Sequence, residues 1–486
     1  MATPSATADD KLPRQIPYII GTEACERFSF YGMRNILTVF LIEYLLLHHN
    51  PDPAAREGAA KGIFHLFVSG VYFFPLLGGF LADRFFGKYR VIFWLSLFYV
   101  LGHAFLAVFE NNREGFYAGL FLIALGSGGI KPCVSAMVGD QFTAENKHLV
   151  KKVFAMFYWT INFGSFFASL LMPKTLKLYG PSVAFGIPGV LMAISLLIFW
   201  LGRKHYVVIP PTGPNPHSFL RVIASAFKDR GSAGAGSADP GAAGAGAAGA
   251  GTHWLDAARK VHPERAVEGA KAVIRLLALF APIPFFWMLF DQKASTWVVQ
   301  AKKMDPMVWG FKFEPSQMQL VNPALVMLLI PFTAGVVYPL FKRLGYELTP
   351  LRRMTIGMAV GAFSYIIAGS LEVSIEGGAT LSILWQIAPY IVLTIAEILI
   401  STTGLEFAYS QAPHELKGTV MSFWNLTVTA ANLAVAVASY LNVFRGSAQF
   451  FFYSVMAFVA AVVLGLIARR YTVVDYYQPK AAPPRG

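Results

Sequence analysis

Apolar residues along this chain fall into runs of about 20, broken by short clusters of Lys, Arg, Asp, Gly and Pro. A helix of that length spans the ~30 Å hydrocarbon core of a bilayer at about 1.5 Å per residue. Twelve runs can be marked, at about 17–47, 59–83, 90–109, 116–140, 153–172, 183–201, 272–292, 317–341, 353–371, 382–409, 418–441 and 449–468. The pattern predicts an all-α membrane protein of twelve transmembrane helices. The longest interruption, 202–271, follows six runs and precedes six more. The expected division is therefore a tail (1–16), a six-helix bundle (17–201), a linker (202–271), a second six-helix bundle (272–468) and a tail (469–486). The linker holds "GSAGAGSADPGAAGAGAAGAG" (231–251), a Gly/Ala tract expected to behave as a flexible chain.

Composition strengthens this reading. Of 486 residues, 55% are hydrophobic and only 14% charged, where a soluble domain carries about a quarter charged. The first sixteen residues are polar and predict no cleaved signal peptide. The two cysteines, Cys25 and Cys133, fall inside apolar runs and predict neither a disulfide framework nor a metal site.

The net charge of +13 would suit an anionic partner if it were clustered. Instead it follows topology. With the amino terminus in the cytoplasm, cytoplasmic segments carry 27 Lys and Arg against 9 outside, with 4 inside runs. This excess predicts that both termini are cytoplasmic and excludes nucleic acid as the reason for the charge. Arg221, Lys228 and Arg230 beside the Gly/Ala tract suit an anionic inner leaflet.

Four ionisable side chains interrupt the first run, in "GTEACERFSFYGMRN" (21–35): Glu23, Glu26, Arg27 and Arg34. With Phe30 and Tyr31 they recur at steps of three and one, so they line one helical face. Each charge facing lipid at mid-bilayer would cost about 2.5–3.5 kcal/mol, so the face must look onto a watery cavity or onto partners. The fourth run adds Lys131 in "GSGGIKPCVSAMVGDQF", and the seventh adds Asp291 and Lys293 in "FFWMLFDQKASTW". The tenth adds Glu397, while Asn162 and Asn322 place amides in the fifth and eighth. The first half thus supplies cations and the second half carboxylates. A slot between them suits a zwitterion, and a six-linker-six layout suits a transporter of two halves.

"GGFLADRFFGKYR" (78–90), with Asp83, Arg84 and Lys88, resembles the cytoplasmic loop motif of the major facilitator superfamily. "ExxERFSFYG" (Glu23 to Gly32) closely resembles the first-helix signature of proton-coupled oligopeptide transporters, E-x-x-E-R-F-x-Y-Y-G, within that superfamily. "FYWTINFGS" (157–165) looks like that family's second signature, and "GIKPCVSAMVGDQF" and "FWMLFDQ" resemble its segments in spans 4 and 7. The chain is identified as a member of this family, of the bacterial di- and tripeptide symporter kind.

The resemblance implies roles residue by residue. Arg27 and Lys131 would hold a peptide carboxylate through charge-assisted hydrogen bonds. Glu397, Asn162 and Asn322 would hold its amine and backbone, and Tyr31, Tyr72, Trp287 and Trp424 would line the pocket. Arg34 and Asp291, with Lys293 beside them, look like an outer gate, and Asp83 and Arg84 like an inner one. Glu23, Glu26, Asp291 and the span-2 histidine His65 are the expected proton-coupling groups. Phe30 replaces the first tyrosine of the usual YYG, and no extra helical hairpin is expected between the halves.

The expected protein is a multi-pass symporter of the cell membrane, acting as a monomer, with the proton as coupling ion and no other cofactor. Nitrate or another small anion is the rival cargo on the same scaffold. No metal-ligand cluster, nucleophile–base arrangement or nucleotide loop predicts an enzyme.

Overall fold

A computed structural model describes residues 12–143, 146–213, 215–233 and 253–474. The molecule is built from helices joined by short turns. α1 spans Ile16–Phe40 and runs on through a wider π turn, Leu41–Leu45. α2 (Pro53–Leu81) starts where Asp52 accepts from the backbone N–H groups of Ala54 and Ala55 at 3.2 and 3.1 Å, with proline in the first turn. Gly87, at φ 79°, turns the chain into α3 (Lys88–Val108), since an L side chain resists that left-handed backbone. α4 is Arg113–Asp140, capped by Asn112, and α5 is Val150–Leu201. The fifth and sixth expected spans lie within α5, which breaks at Gly180 (φ 81°) with Pro181 directly after it.

The linker carries structure that the Gly/Ala reading missed. α6 (Phe219–Ala233) precedes the tract, whose positions 234–251 lie outside the described residues. A short 3₁₀ segment, Trp254–Lys260, follows it. α7 (Glu264–Phe280) begins well before the expected boundary at 272 and bends by 49° into α8 (Ile283–Asp291) and α9 (Thr296–Ala301). A two-stranded hairpin, β1 (Met307–Val308) and β2 (Phe311–Lys312), occupies the interval between the seventh and eighth expected runs. Then come α10 (Val321–Phe332), α11 (Tyr338–Arg343), α12 (Pro350–Glu376), α13 (Ile387–Glu397), α14 (Thr403–Ser410), α15 (Lys417–Tyr440) and α16 (Gly446–Arg470).

Nine helices among the described residues are long and apolar enough to cross a membrane, and the bent α7–α9 unit makes ten. α1 is absent from that set because of its own charges. Large apolar side chains point outward along the others, including Trp94, Phe121, Val190, Leu328 and Val455. In water such a surface would aggregate; against lipid it is the natural exterior.

Buried apolar residues form two clusters, one from α1–α5 and one from α6–α16. Tyr72 of α2 packs against both, and Ala294 and Val299 of the second half insert into the first cluster. Within a bundle, helices approach through glycine. A Cβ on Gly78 of α2 would sit 2.1 Å from the carbonyl oxygen of Gly128 on α4. Without a hydrophobic drive between helices in lipid, such backbone proximity supplies much of the packing energy.

Candidate functional site

On α1 the expected face turns inward. Arg27 Nε pairs with Glu23 Oε1 at 3.1 Å, one turn away, and with Glu26 Oε2. All three side chains are buried, and Glu26 Oε1 has no protein partner among the described residues. Two carboxylates around one guanidinium leave the cluster one negative charge in excess if both are ionised.

Lys131, where Pro132 interrupts α4, stands over the ring of Tyr72 at 3.8 Å and that of Phe30 at 5.1 Å. Among the described residues it makes no ion pair. Its ammonium is held by aromatic faces, a weaker hold than a carboxylate, so it remains available to an incoming anion.

A second set joins the bundles. Arg34 Nη2 donates to Asp291 Oδ1 at 2.7 Å, and Asn432 Nδ2 on α15 donates to Asp291 Oδ2 at 2.7 Å. The Asn432 carbonyl oxygen then faces His65 Nδ1 at 2.7 Å, so that nitrogen must carry the hydrogen. His65 Nε2 lies 2.7 Å from the Ser295 hydroxyl, which also reaches the Gln292 carbonyl at 3.4 Å. Arg34, Asp291, Asn432, His65 and Ser295 form one directed chain across both halves.

A third set lies in the second half. Lys293 Nζ donates to Asn322 Oδ1 at 2.6 Å, and Asn322 Nδ2 donates to Glu397 Oε2 at 2.7 Å and to Thr394 Oγ1 at 3.1 Å. Trp287 and Trp424 meet edge to face at 6.4 Å, and the buried Trp287 indole N–H has no protein partner among the described residues. Among the described residues Asn162 makes no hydrogen bond to Glu397 or Asn322; its amide donates to the carbonyl of Tyr158 at 2.9 Å. Sequence reasoning passed over Asn432, Ser295 and Thr394. Asn432 alone carried a signal, an amide inside the otherwise small and apolar "TAANLAVAVA".

The two ends differ. At one, Thr38 donates to the Ala294 carbonyl at 2.7 Å and Gln319 to that of Asn35 at 3.1 Å. Lys302–Glu43 at 2.9 Å and Lys177–Glu314 at 3.2 Å add ion pairs between the halves there. At the other, a cavity of about 740 Å³ is lined by Lys131, Asp83, Arg84, Lys88, Glu415 and Asn425. At its rim Arg84 donates to the Gly213 carbonyl at 2.6 Å, Thr212 N donates to the Asp83 carbonyl at 2.8 Å, and Lys88 pairs with Asp140 at 2.5 Å. The first two contacts fasten the start of the linker to the loop motif, and the third ties that motif to the end of α4.

A sequence profile described as the POT family matches residues 89–449. The chain belongs to the POT family. It is 37% identical to peptide transporter 3 of Caenorhabditis elegans over 378 residues, 75% of this chain and 51% of that protein. It is also 37% identical to solute carrier family 15 member 2 of Mus musculus over 379 residues, 75% of this chain and 50% of that one. The chain thus spans about half the length of the curated relatives it matches. Among solved structures it resembles the POT family transporter PepTSo, at 49% identity and TM-score 0.87, over 96% of this chain and 100% of that one. An auto-inhibited POT family peptide transporter is similar at 47% identity and TM-score 0.86, over 96% and 99%. This POT family member is a multi-pass membrane protein of helical build.

Proposed function

We propose that this POT family member is a secondary transporter of the cell membrane that moves di- and tripeptides into the cytoplasm together with protons. One observation carries the reading. The chain from Arg34 to Ser295 seals one end across both halves, while Lys131, without an ion-pair partner among the described residues, faces the cavity at the other. That is the geometry of one half-cycle of alternating access, with the sealed end outside and the cavity on the cytoplasmic side.

The span count is completed by two features. We count α1 as a span because its charges face protein, and α5 as two spans around Gly180; with the ten apolar candidates this reading has twelve spans, and the Lys and Arg bias supports cytoplasmic termini. The halves are 17–201 and 272–468, joined by the linker 202–271, and the chain acts as a monomer.

In the cycle, Arg27 and Lys131 take the peptide carboxylate, Glu397 with Asn322 takes the amine, and Asn162 turns to the peptide backbone. The fixed distance between charged ends selects length, while Tyr31, Tyr72, Trp287 and Trp424 accommodate varied side chains. Carboxylate binding draws Arg27 away from Glu23 and Glu26, whose charge is then relieved by a proton. Protonation at Asp291 or His65 breaks the directed chain and opens the sealed end. One proton crossing 100 mV releases about 2.3 kcal/mol, enough for a roughly fifty-fold peptide gradient.

The test is uptake of radiolabelled dialanine by proteoliposomes under an inward proton gradient. Accumulation that a protonophore collapses, and that Glu26→Gln and Lys131→Ala abolish, supports the reading. If the wild type ignores dipeptides and instead accumulates nitrate or another small anion, the peptide assignment is wrong.

A further inference from the structure

One helical turn before His65, α2 buries a second ionisable group. Lys61 is 8% exposed, and its ammonium donates to Gln449 Oε1 on α16 at 3.1 Å, across the boundary between the halves. Gln449 Nε2 reaches Gln292 Oε1 at 3.3 Å, and that oxygen also accepts from Thr296 Oγ1 at 2.8 Å. The rung therefore lies beside the His65–Ser295 contact, at the sealed end.

What Lys61 lacks is a carboxylate. No ion pair to it exists among the described residues. Glu57 stands one turn earlier on α2 without pairing with it, and Glu372 is already held by Lys303 at 2.7 Å and Gln300 at 2.9 Å. A buried ammonium with one neutral acceptor is poorly compensated for lost hydration. Parting α2 from α16 would return it to water. The Thr38–Ala294, Gln319–Asn35 and Arg34–Asp291 contacts across the halves have no such uncompensated charge.

We propose that Lys61 is a positioning residue of the gate, whose buried charge offsets the Arg34–Asp291–Asn432–His65 chain and keeps the sealed end close to balance. It acts through the spacing of α2 and α16 and touches no substrate. The proposal rests on the transport reading for which end is outer, but its readout does not require transport.

The experiment uses spin labels at Ala55→Cys and Ala448→Cys, exposed positions in the first turns of α2 and α16, in the full chain carrying Cys25→Ala and Cys133→Ala. Pulsed-EPR distances are recorded without peptide for Lys61, Lys61→Met and Lys61→Arg. Lys61→Met keeps the length and removes the charge; it is expected to cut the long-distance, open population at least threefold. Lys61→Arg keeps the charge and is expected to restore it. A thermal melting midpoint of Lys61→Met at or above the parent's excludes misfolding and is itself expected, because a buried uncompensated charge has gone. A larger open population in Lys61→Met would make Lys61 a clasp and overturn the proposal, as would distributions that do not differ between the variants. Dialanine uptake by the same proteins separates the two readings. A distance shift with no peptide uptake by the parent keeps the gate role and sinks the transport assignment, and uptake with no distance shift does the reverse.

Discussion

His65 and Asn432 meet across the two bundles, with 2.7 Å between the imidazole Nδ1 and the amide Oδ1. Because the Asn432 amide nitrogen is already given to Asp291, the contact has one polarity only. Asn432→Leu should strand the His65 N–H and one Asp291 oxygen, each worth about 1–3 kcal/mol when buried without a partner. A double-mutant cycle with Arg34→Gln, read by thermal melting, should show coupling of about 0.5–3 kcal/mol. Additive losses would mean that the chain is not one network.

Arg27 and Lys131 should separate in stability. Arg27 is tied to two buried carboxylates, so Arg27→Ala leaves uncompensated charge and should cost about 3–5 kcal/mol. Lys131 has no ion pair to lose, so Lys131→Gln should leave the melting midpoint nearly unchanged. Dipeptide binding, measured by calorimetry, should still weaken by about tenfold or more, the loss of one charge-assisted bond of about 1.5–3 kcal/mol. A Lys131→Gln protein that melts like Arg27→Ala would show the lysine to be structural.

Helix crossing at Gly78 leaves no room for a methyl group, since its Cβ would fall 2.1 Å from the Gly128 carbonyl oxygen. Gly78→Ala should push α2 from α4 and destabilise by at least about 1–3 kcal/mol. A fluorescence melting curve shifted by several degrees is the expected result. Gly139, whose surroundings are open, is the control: Gly139→Ala should melt with the parent.

Linker docking should depend on pH. His262 Nδ1 lies 2.9 Å from His217 Nδ1 and its Nε2 lies 2.8 Å from the Ser225 hydroxyl, pinning α6 against the second half. Burial, and then the His217 ring beside it, hold His262 below the ordinary imidazole range. The docked state refuses a proton that a free imidazole takes up near pH 6.5, so docking is firmest above that value and weakens as pH falls through it. The protection of amides 219–228 relative to their intrinsic exchange rates should therefore fall between pH 7.5 and 5.5, and His262→Gln should flatten the difference. Protection factors that are the same at both pH values in the wild type would sink the idea.

Hydrophobic periodicity alone marked the helical runs, because a bilayer requires long apolar segments whatever packs beside them. It also singled out Glu23, Glu26, Arg27, Arg34, Lys131, Asp291 and Glu397, because a charge among lipid-length runs needs a reason. It could not pair them. That Arg34 meets Asp291, 257 positions away, depends on how two bundles lie against each other, and no local pattern encodes that. The same holds for Asn432 and Ser295, ordinary polar residues until tertiary contact places them on His65, and for Lys61, whose charge reads as another buried cation. The linker escaped for a different reason. α6 is held by burial of Phe219, Val222 and Ala226 against the second half, so its stability lies in a tertiary surface and not in its own composition. The sequence by itself determined which segments sit in the membrane and which charges must face inward, since both follow from transfer energies of single residues. Tertiary structure decided the partners of those charges and which end is sealed, since both depend on distances between segments far apart in the chain.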